Sequence, residues 1–547
     1  MTDPTDKVRD DMTKPQAKRL LNILLIAICL LTFRALAADQ PAPDLRFTIL
    51  HTNDLHAHDD TFVDRGRNVG GMAKIAHIIR SIRAHNPNVV AIDAGDIFQG
   101  TPYYKFYHGE VEVEMLNDAG YDLYTIGNHE FDDGPENLAK QLKRAHFDII
   151  SSNLDASKLP ELAALIKPSV VKTIKGQKVA FIGAIVPTLA EVSLKTEVVK
   201  VKATGDQWMD PIKEEIARVK AQGIDKIVLV THVGVELDKQ LAQLPDVDVI
   251  IGGHSHTRLD KPIVVHHADG SDCIVVQTGS YGRALGKLDL DFDQHGKVKV
   301  ASTDYRLINI TDRIHDDKDV QKYLAEKEKP FAKMRTTVDG VAITDFDNSF
   351  KRFPGDSPIG DLIADALAEG GSQYGATIAF QNRGGIRGRI ERGPITEEKV
   401  DEILPFENHL LVATVKGSDL KKVLENSVAG SLGAKFLDVH GIKFTYDASK
   451  PPMQRIVTAE TEGADNTWKP LSDSADYRIA INDYSFKGGE GYDFSHASDI
   501  KDTGRRLSAY LGDYLLHHKK VTPATPGRIT AVGLPATTAT TTKGKKH

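Results

Sequence analysis

The sequence predicts an α/β protein of two domains joined by a helix, and three observations carry that prediction. The chain has 547 residues, more than the roughly 250–300 at which one hydrophobic core stops growing. Between about residues 45 and 310, short apolar runs alternate with helical patterns, as in sheets covered by helices. A highly charged, helix-prone stretch, DRIHDDKDVQKYLAEKEKPFAKMR, then separates this region from one with its own apolar helix and strands.

Taken in order, the N-terminus reads as an export signal. Lys14, Lys18 and Arg19 precede an apolar-biased run from Leu20 to Phe33, and Ala35-Leu36-Ala37 is an A-x-A cleavage site. The run is shorter than the roughly 20 residues of a spanning helix. Residues 1–37 are therefore expected to be removed, leaving a periplasmic or secreted chain without a stable membrane span; an uncleaved anchor is the alternative. Cleavage removes Cys29 and leaves Cys273, in the apolar run CIVVQT, as a lone buried core residue rather than a nucleophile. The net charge of −7 lacks the basic excess of a nucleic-acid binder, so no nucleic-acid polymer is expected as a partner.

The first domain is expected over residues 45–312. Its runs FTIL, VVAI, DLYTI, KIVLV and VDVII are predicted strands, and GGMAKIAHIIRSIRAH at 70–85 is a predicted helix. The linker helix covers 313–336 and is expected to be solvated. The second domain covers 337–531, with the helix IGDLIADALAEG and the strands LLVATVKG and YRIAIND. Residues 532–547, Thr-rich and then basic, read as a disordered tail.

Each of the five predicted strands ends in a short polar motif. They are Asp54-Leu55-His56, Gly95-Asp96, Gly127-Asn128-His129-Glu130, Thr231-His232 and Gly252-Gly253-His254-Ser255-His256. Strand ends are where an open α/β sheet gathers its ligands. Asp54, His56, Asp96, Asn128, His232, His254 and His256 are too many donors for one four-coordinate ion and suit two divalent ions sharing a carboxylate. Asp96, alone after its strand, is the natural bridge; Asp54 and His56, two apart on an extended segment, can grip one ion together. A bound metal lowers the pKa of water enough to supply hydroxide near neutral pH. His129 need not be a ligand: Asp132 follows three residues later and can orient its imidazole for proton transfer or charge stabilisation. His77, His85, His108, His146, His266 and His267 are read as structural or surface histidines.

The segments HTNDLH, DAGD, TIGNHEFD, THVG and GGHSH resemble those of the 5′-nucleotidase family within the calcineurin-like metallophosphoesterases. The likeness runs to about residue 531. It implies an N-terminal four-layer α/β/β/α metallophosphoesterase domain and a C-terminal α/β nucleotide-binding domain. It assigns Asp54, His56, Asp96 and His256 to one ion, Asp96, Asn128, His232 and His254 to the other, and His129 with Asp132 to catalysis. The ions it implies are divalent, with zinc, manganese, magnesium and cobalt as the candidates. One departure is His256, where several relatives carry an amide.

Two segments of the second domain bear on the substrate. Gln381-Asn382-Arg383-Gly384-Gly385-Ile386-Arg387 sets two guanidinium groups about a glycine turn, a chemistry suited to phosphate oxygens. The segment from Asn482 to Tyr492 combines aromatics, glycines and an acid, and a flat ring can stack on a nucleobase. By the resemblance, Asn382, Arg383 and Arg387 face phosphate or ribose, and the base lies between Phe406 and Tyr484, near Glu490. Tyr484 stands where relatives commonly have Phe, and Glu490 where they commonly have Asp. The expected activity is removal of phosphate from nucleoside 5′-monophosphates, extending to UDP-sugars or other nucleotide phosphoanhydrides. The nearest alternative is a 2′,3′-cyclic-nucleotide phosphodiesterase or a sulfur-compound thiohydrolase on the same scaffold. A non-catalytic nucleotide-binding surface protein is more remote, because Asp96 and His129 are both present.

Overall fold

The computed structural model describes residues 44–534, apart from 194, 349–353, 431–432 and 464. The expected signal at 1–37 and the tail from 535 onward lie outside the described residues. The five apolar runs are strands: β1 (Leu45–Thr52), β2 (Val89–Asp93), β3 (Leu123–Thr125), β4 (Ile227–His232) and β5 (Val249–Gly252). β1, β2 and β3 are successive neighbours in a seven-stranded sheet, whereas β4 and β5 are neighbours in a six-stranded sheet. All these pairings are parallel, so within each sheet the motifs emerge at one carboxyl edge.

Side-chain alternation along the strands builds the layers. Phe47 and Ile49 of β1 and Val90 and Ile92 of β2 share a buried cluster with Val228, Val230, Val249 and Ile251 of the other sheet. Leu50 and Ala91 face the opposite way and pack with Ile75 and Ile79 of α1 (Met72–His85). On the far side, Leu229 and Ile250 pack with Ile212 and Ile216 of the helix Asp210–Lys220. The order is α/β/β/α.

α2 (Lys318–Glu328) starts at Asp317, whose carboxylate accepts from the amides of Asp319 and Val320. Its charged composition predicts a solvated linker helix, and most of its residues are exposed, but one edge is docked. Val320, Leu324 and the following Phe331 are buried in the core of the first domain. A narrow apolar edge suffices to dock a helix whose other faces are charged.

In the second domain, β6 (Ile378–Asn382) and β7 (Asp476–Asn482) are parallel neighbours in a five-stranded sheet. α3 (Pro358–Ser372) and α4 (Leu507–His518) cover one face, and the helix Gly417–Val428 covers the other. Because β6 and β7 lie side by side and point the same way, the two segments expected to meet the substrate leave the sheet together. Arg335 ties the parts of the molecule at one edge through ion pairs with Asp60 of the first domain, Glu328 of α2 and Glu398 of the second domain.

Candidate active site

The strand-end loops bring the seven predicted ligands together. Asp54, His56 and His256 form one group of donors, Asp96, His232 and His254 another, and His56, Asp96 and His129 a third that overlaps both. His256 Nε2 lies 3.2 Å from Asp54 Oδ1 and His232 Nε2 lies 2.9 Å from Asp96 Oδ2. His254 Nδ1 lies 2.9 Å from Asn128 Oδ1. Asp54, His56, Asp96, His254 and His256 all have φ between 48° and 77°, a region that non-glycine residues seldom occupy and that clusters at functional sites. Glycine permits the close approach: a Cβ on Gly127 would sit 2.2 Å from Asp96 Oδ1.

Ring orientation shows that these donors fit cations. His232 donates from Nδ1 to the Ala94 carbonyl at 2.7 Å and turns its buried Nε2 to Asp96 Oδ2, 2.9 Å away; burial pulls the imidazole down, but Asp96 outweighs it and raises it to about 10, supplying the positive charge that the buried carboxylates call for. His56 likewise donates from Nδ1 to the Phe98 carbonyl at 3.1 Å, and its Nε2 stands 3.0 Å from His256 Nε2. Backbone carbonyls that fix the tautomer and free the other nitrogen are the usual outer support of a metal-binding histidine. Burial, with His232 close by, lowers His254 to about 4, so its imidazole stays neutral and keeps a lone pair. Two carboxylates, an amide oxygen and four imidazoles make a mixed hard and borderline set suited to divalent ions.

His129 is built differently. Its Nδ1 lies 2.9 Å from Asp132 Oδ2, and Gln99 Nε2 donates to the same oxygen at 3.1 Å. Burial pulls the His129 imidazole down, but Asp132 and Asp96 outweigh it and raise it above its ordinary value. Glu130 has a role that residue type alone does not reveal. Its buried carboxylate accepts from the amides of Asp96, Ile97, Phe98 and Gly127, at 2.6 to 3.2 Å, and locks two motif loops together. The only sequence signal for it is its place beside Asn128 and His129.

The second domain reaches into this cluster. Arg387 places a guanidinium nitrogen 3.1 Å from His56 Nε2 and 3.4 Å from His129 Nε2. The Phe406 ring lies 5.7 Å from that of His129, and the Arg387 guanidinium lies 5.7 Å from the Phe406 ring centre. Asn382 is buried; it accepts from Asn482 at 3.0 Å and donates to Glu490 Oε2 at 3.1 Å. Burial pushes Glu490 up to about 7 against the pull of Asn382 and Lys435. Tyr484 lies over Gly489, where a Cβ would meet its ring at 2.5 Å, and its hydroxyl donates to the Glu191 carbonyl of the first domain at 3.2 Å.

Arg383 departs from expectation. Its side chain is fully buried, pairs with Asp438 at 2.7 Å, donates to the Gly355 carbonyl and lies 4.2 Å over the Phe436 ring. A guanidinium so enclosed holds the second domain together and does not face a phosphate. Arg383→Ala would strand the buried Asp438 carboxylate and is expected to cost roughly 3–5 kcal/mol of stability in denaturant unfolding. A phosphate ligand would instead lose activity with little change in stability.

Among the described residues, one further group of potential ligands, Glu369, His517 and His518, is exposed and joined by ion pairs. His85, His108, His146 and His266 are exposed, and His77 and His267 are half-buried.

Fold and site together define a two-domain metallophosphoesterase. Residues 47–258 match the family model for the calcineurin-like phosphoesterase, and residues 335–497 match that for the 5′-nucleotidase C-terminal domain. The chain belongs to the 5′-nucleotidase family. It is 30% identical over 562 residues to the 5′-nucleotidase of Mus musculus, covering 94% of this chain and 95% of the mouse protein. It is also 30% identical to the trifunctional nucleotide phosphoesterase protein YfkN of Bacillus subtilis, over 89% of this chain but 35% of that much longer protein. The solved structure of a 5′-nucleotidase precursor from Thermus thermophilus aligns with a TM-score of 0.85 at 32% identity, covering 90% of this chain and 100% of that one. The protein is a phosphoester hydrolase that depends on divalent metal ions. No described helix is long and apolar enough to cross a membrane.

Proposed function

We propose that this is an exported enzyme that removes phosphate from nucleoside 5′-monophosphates and also cleaves UDP-sugars or other nucleotide phosphoanhydrides. One observation carries this reading: Arg387 and Phe406 of the second domain stand directly against His56 and His129 of the first. A phosphoryl group at the first-domain cluster is thereby joined to a pocket for the rest of a nucleotide. The kinship with a 5′-nucleotidase along nearly the whole chain supports it.

Asp54, His56, Asp96 and His256 would hold one ion, and Asp96, Asn128, His232 and His254 the other. Bound there, the ions supply Lewis-acid polarisation of the phosphoryl oxygens and activation of water. Arg387 binds phosphoryl oxygens through its fork of donors. His129, with Asp132 holding Nδ1–H, presents Nε2 to the leaving oxygen and either donates a proton or stabilises the developing charge. Asn382 and Glu490 meet the ribose, and Phe406 and Tyr484 stack on the base. Glu490→Gln replaces one carboxyl oxygen by an amide NH2 that can only donate, and is expected to raise KM for AMP about tenfold. Hydrolysis of p-nitrophenyl phosphate, which carries no ribose, should be unchanged.

Export rests on the basic and apolar N-terminal segment; N-terminal sequencing of the secreted chain should begin at Ala38. The activity is tested by supplying AMP, UDP-glucose, NAD and 2′,3′-cyclic AMP to the metal-loaded protein and ranking kcat/KM. AMP is expected to lead. Cleavage confined to the cyclic substrate would overturn the reading.

A further inference from the structure

Tyr281 lies in the first domain, between the strands Asp272–Val276 and Ala284–Phe292. Its φ is 63°, an unfavourable region for a bulky aromatic that persists only where the surroundings impose it. The surroundings do so here. The backbone amide donates to the Asp54 carbonyl at 2.7 Å. The ring stacks on His58 at 4.2 Å and 19°, and meets His56 and His256 edge-on at 5.7 and 5.6 Å. The Arg283 guanidinium lies 4.7 Å from the ring centre and is anchored to Asp64 at 3.0 Å. His58, beneath the ring, donates from Nδ1 to the His56 carbonyl at 2.7 Å.

The hydroxyl alone leaves this assembly. It crosses to the second domain and donates to the backbone carbonyl of Arg387 at 3.0 Å. Arg387 is the residue whose guanidinium reaches His56 and His129. Tyr281 therefore touches the predicted ligands with its ring and the backbone of the phosphate-facing arginine with its hydroxyl.

We propose that Tyr281 is a positioning residue for phosphoester hydrolysis, setting the Arg387 backbone in register with the ligand cluster so that the guanidinium meets the phosphoryl group. The proposal rests on the assignment of Arg387 to phosphate. The hydroxyl is a short gauge between domains: with it, Arg387 has one preferred placement, and without it the loop carrying Arg387 keeps its fold but loses that reference.

The test is a double-substitution cycle on the metal-loaded full chain, with AMP as substrate. Tyr281→Phe removes only the hydroxyl and is expected to lower kcat/KM roughly three- to tenfold, the effect of one hydrogen bond. Metal content and Tm should stay unchanged. In an Arg387→Ala background the carbonyl acceptor remains but there is no guanidinium to place, so Tyr281→Phe should cause no further loss. A purely structural tyrosine would lower activity by the same factor in both backgrounds. That result, an unaffected Tyr281→Phe single variant, or loss of metal from it, would overturn the proposal. If the wild type leaves AMP intact, the nucleotidase reading has failed; the cycle is then run on the phosphoester that the wild type cleaves best, and judges Tyr281 separately.

Discussion

Replacing His129 with alanine is expected to lower kcat for AMP by roughly 10²–10⁴-fold, the usual worth of a positioned general acid, while two metal ions per chain are retained. Distance alone does not separate catalysis from ligation at this residue, because a ring nitrogen of His129 falls within reach of His56 and Asp96. Its surroundings do. Nδ1 is engaged by Asp132, which Gln99 also holds, and Nε2 faces Arg387 of the second domain. If Arg387 binds the phosphoryl group as proposed, a nitrogen turned toward it is placed to meet a leaving group. Metal analysis beside the kinetics decides the matter. A variant that loses an ion as well as turnover would make His129 a ligand, and the acid would have to be sought elsewhere.

Asp96→Asn is expected to be as damaging by another route. Asp96 is the carboxylate shared between two of the donor groups. Burial alone would raise it, but His232, His129 and His56 together hold it well below the ordinary carboxylate range. Its other oxygen accepts the His129 amide at 2.9 Å, so the side chain also fixes the loop that carries His129. The amide keeps the shape and removes the charge on which both ions would depend. Metal content should fall below two per chain and kcat by roughly 10³-fold or more. Retention of both ions with near-normal turnover would mean that Asp96 does not bridge.

Much of this site was legible in the chain, for a definite reason. Strand-end placement follows from periodicity, and Asp54, Asp96, Asn128, His232 and His254 each follow a short apolar run. What the sequence hid depends on partners distant along the chain or on backbone conformation. Arg383 and Arg387 flank the same glycine turn and look equivalent. Only the fold shows that the first turns inward to Asp438, 55 residues away, while the second crosses to His56. The docking of α2 was hidden because two apolar positions among many charges give little signal. Glu130 was visible as a letter of its motif, but not as the acceptor of four backbone amides. The left-handed conformations at Asp54, His56, Asp96, His254 and His256 give no usable local signal: Asp and His enter that region more often than most non-glycine residues, yet the great majority of them lie elsewhere. Local preference fails where the site is built, as expected of a functional centre.

In the proposed function, the metal centre of the first domain and the pocket of the second act on a single nucleotide. The most direct test is a time course of AMP hydrolysis by the metal-loaded protein, with both products quantified. Adenosine and inorganic phosphate are expected in equal amounts, with kcat/KM for AMP far above that for p-nitrophenyl phosphate. Equal kcat/KM for the two phosphates, or an intact AMP pool beside active cleavage of the aryl ester, would contradict it.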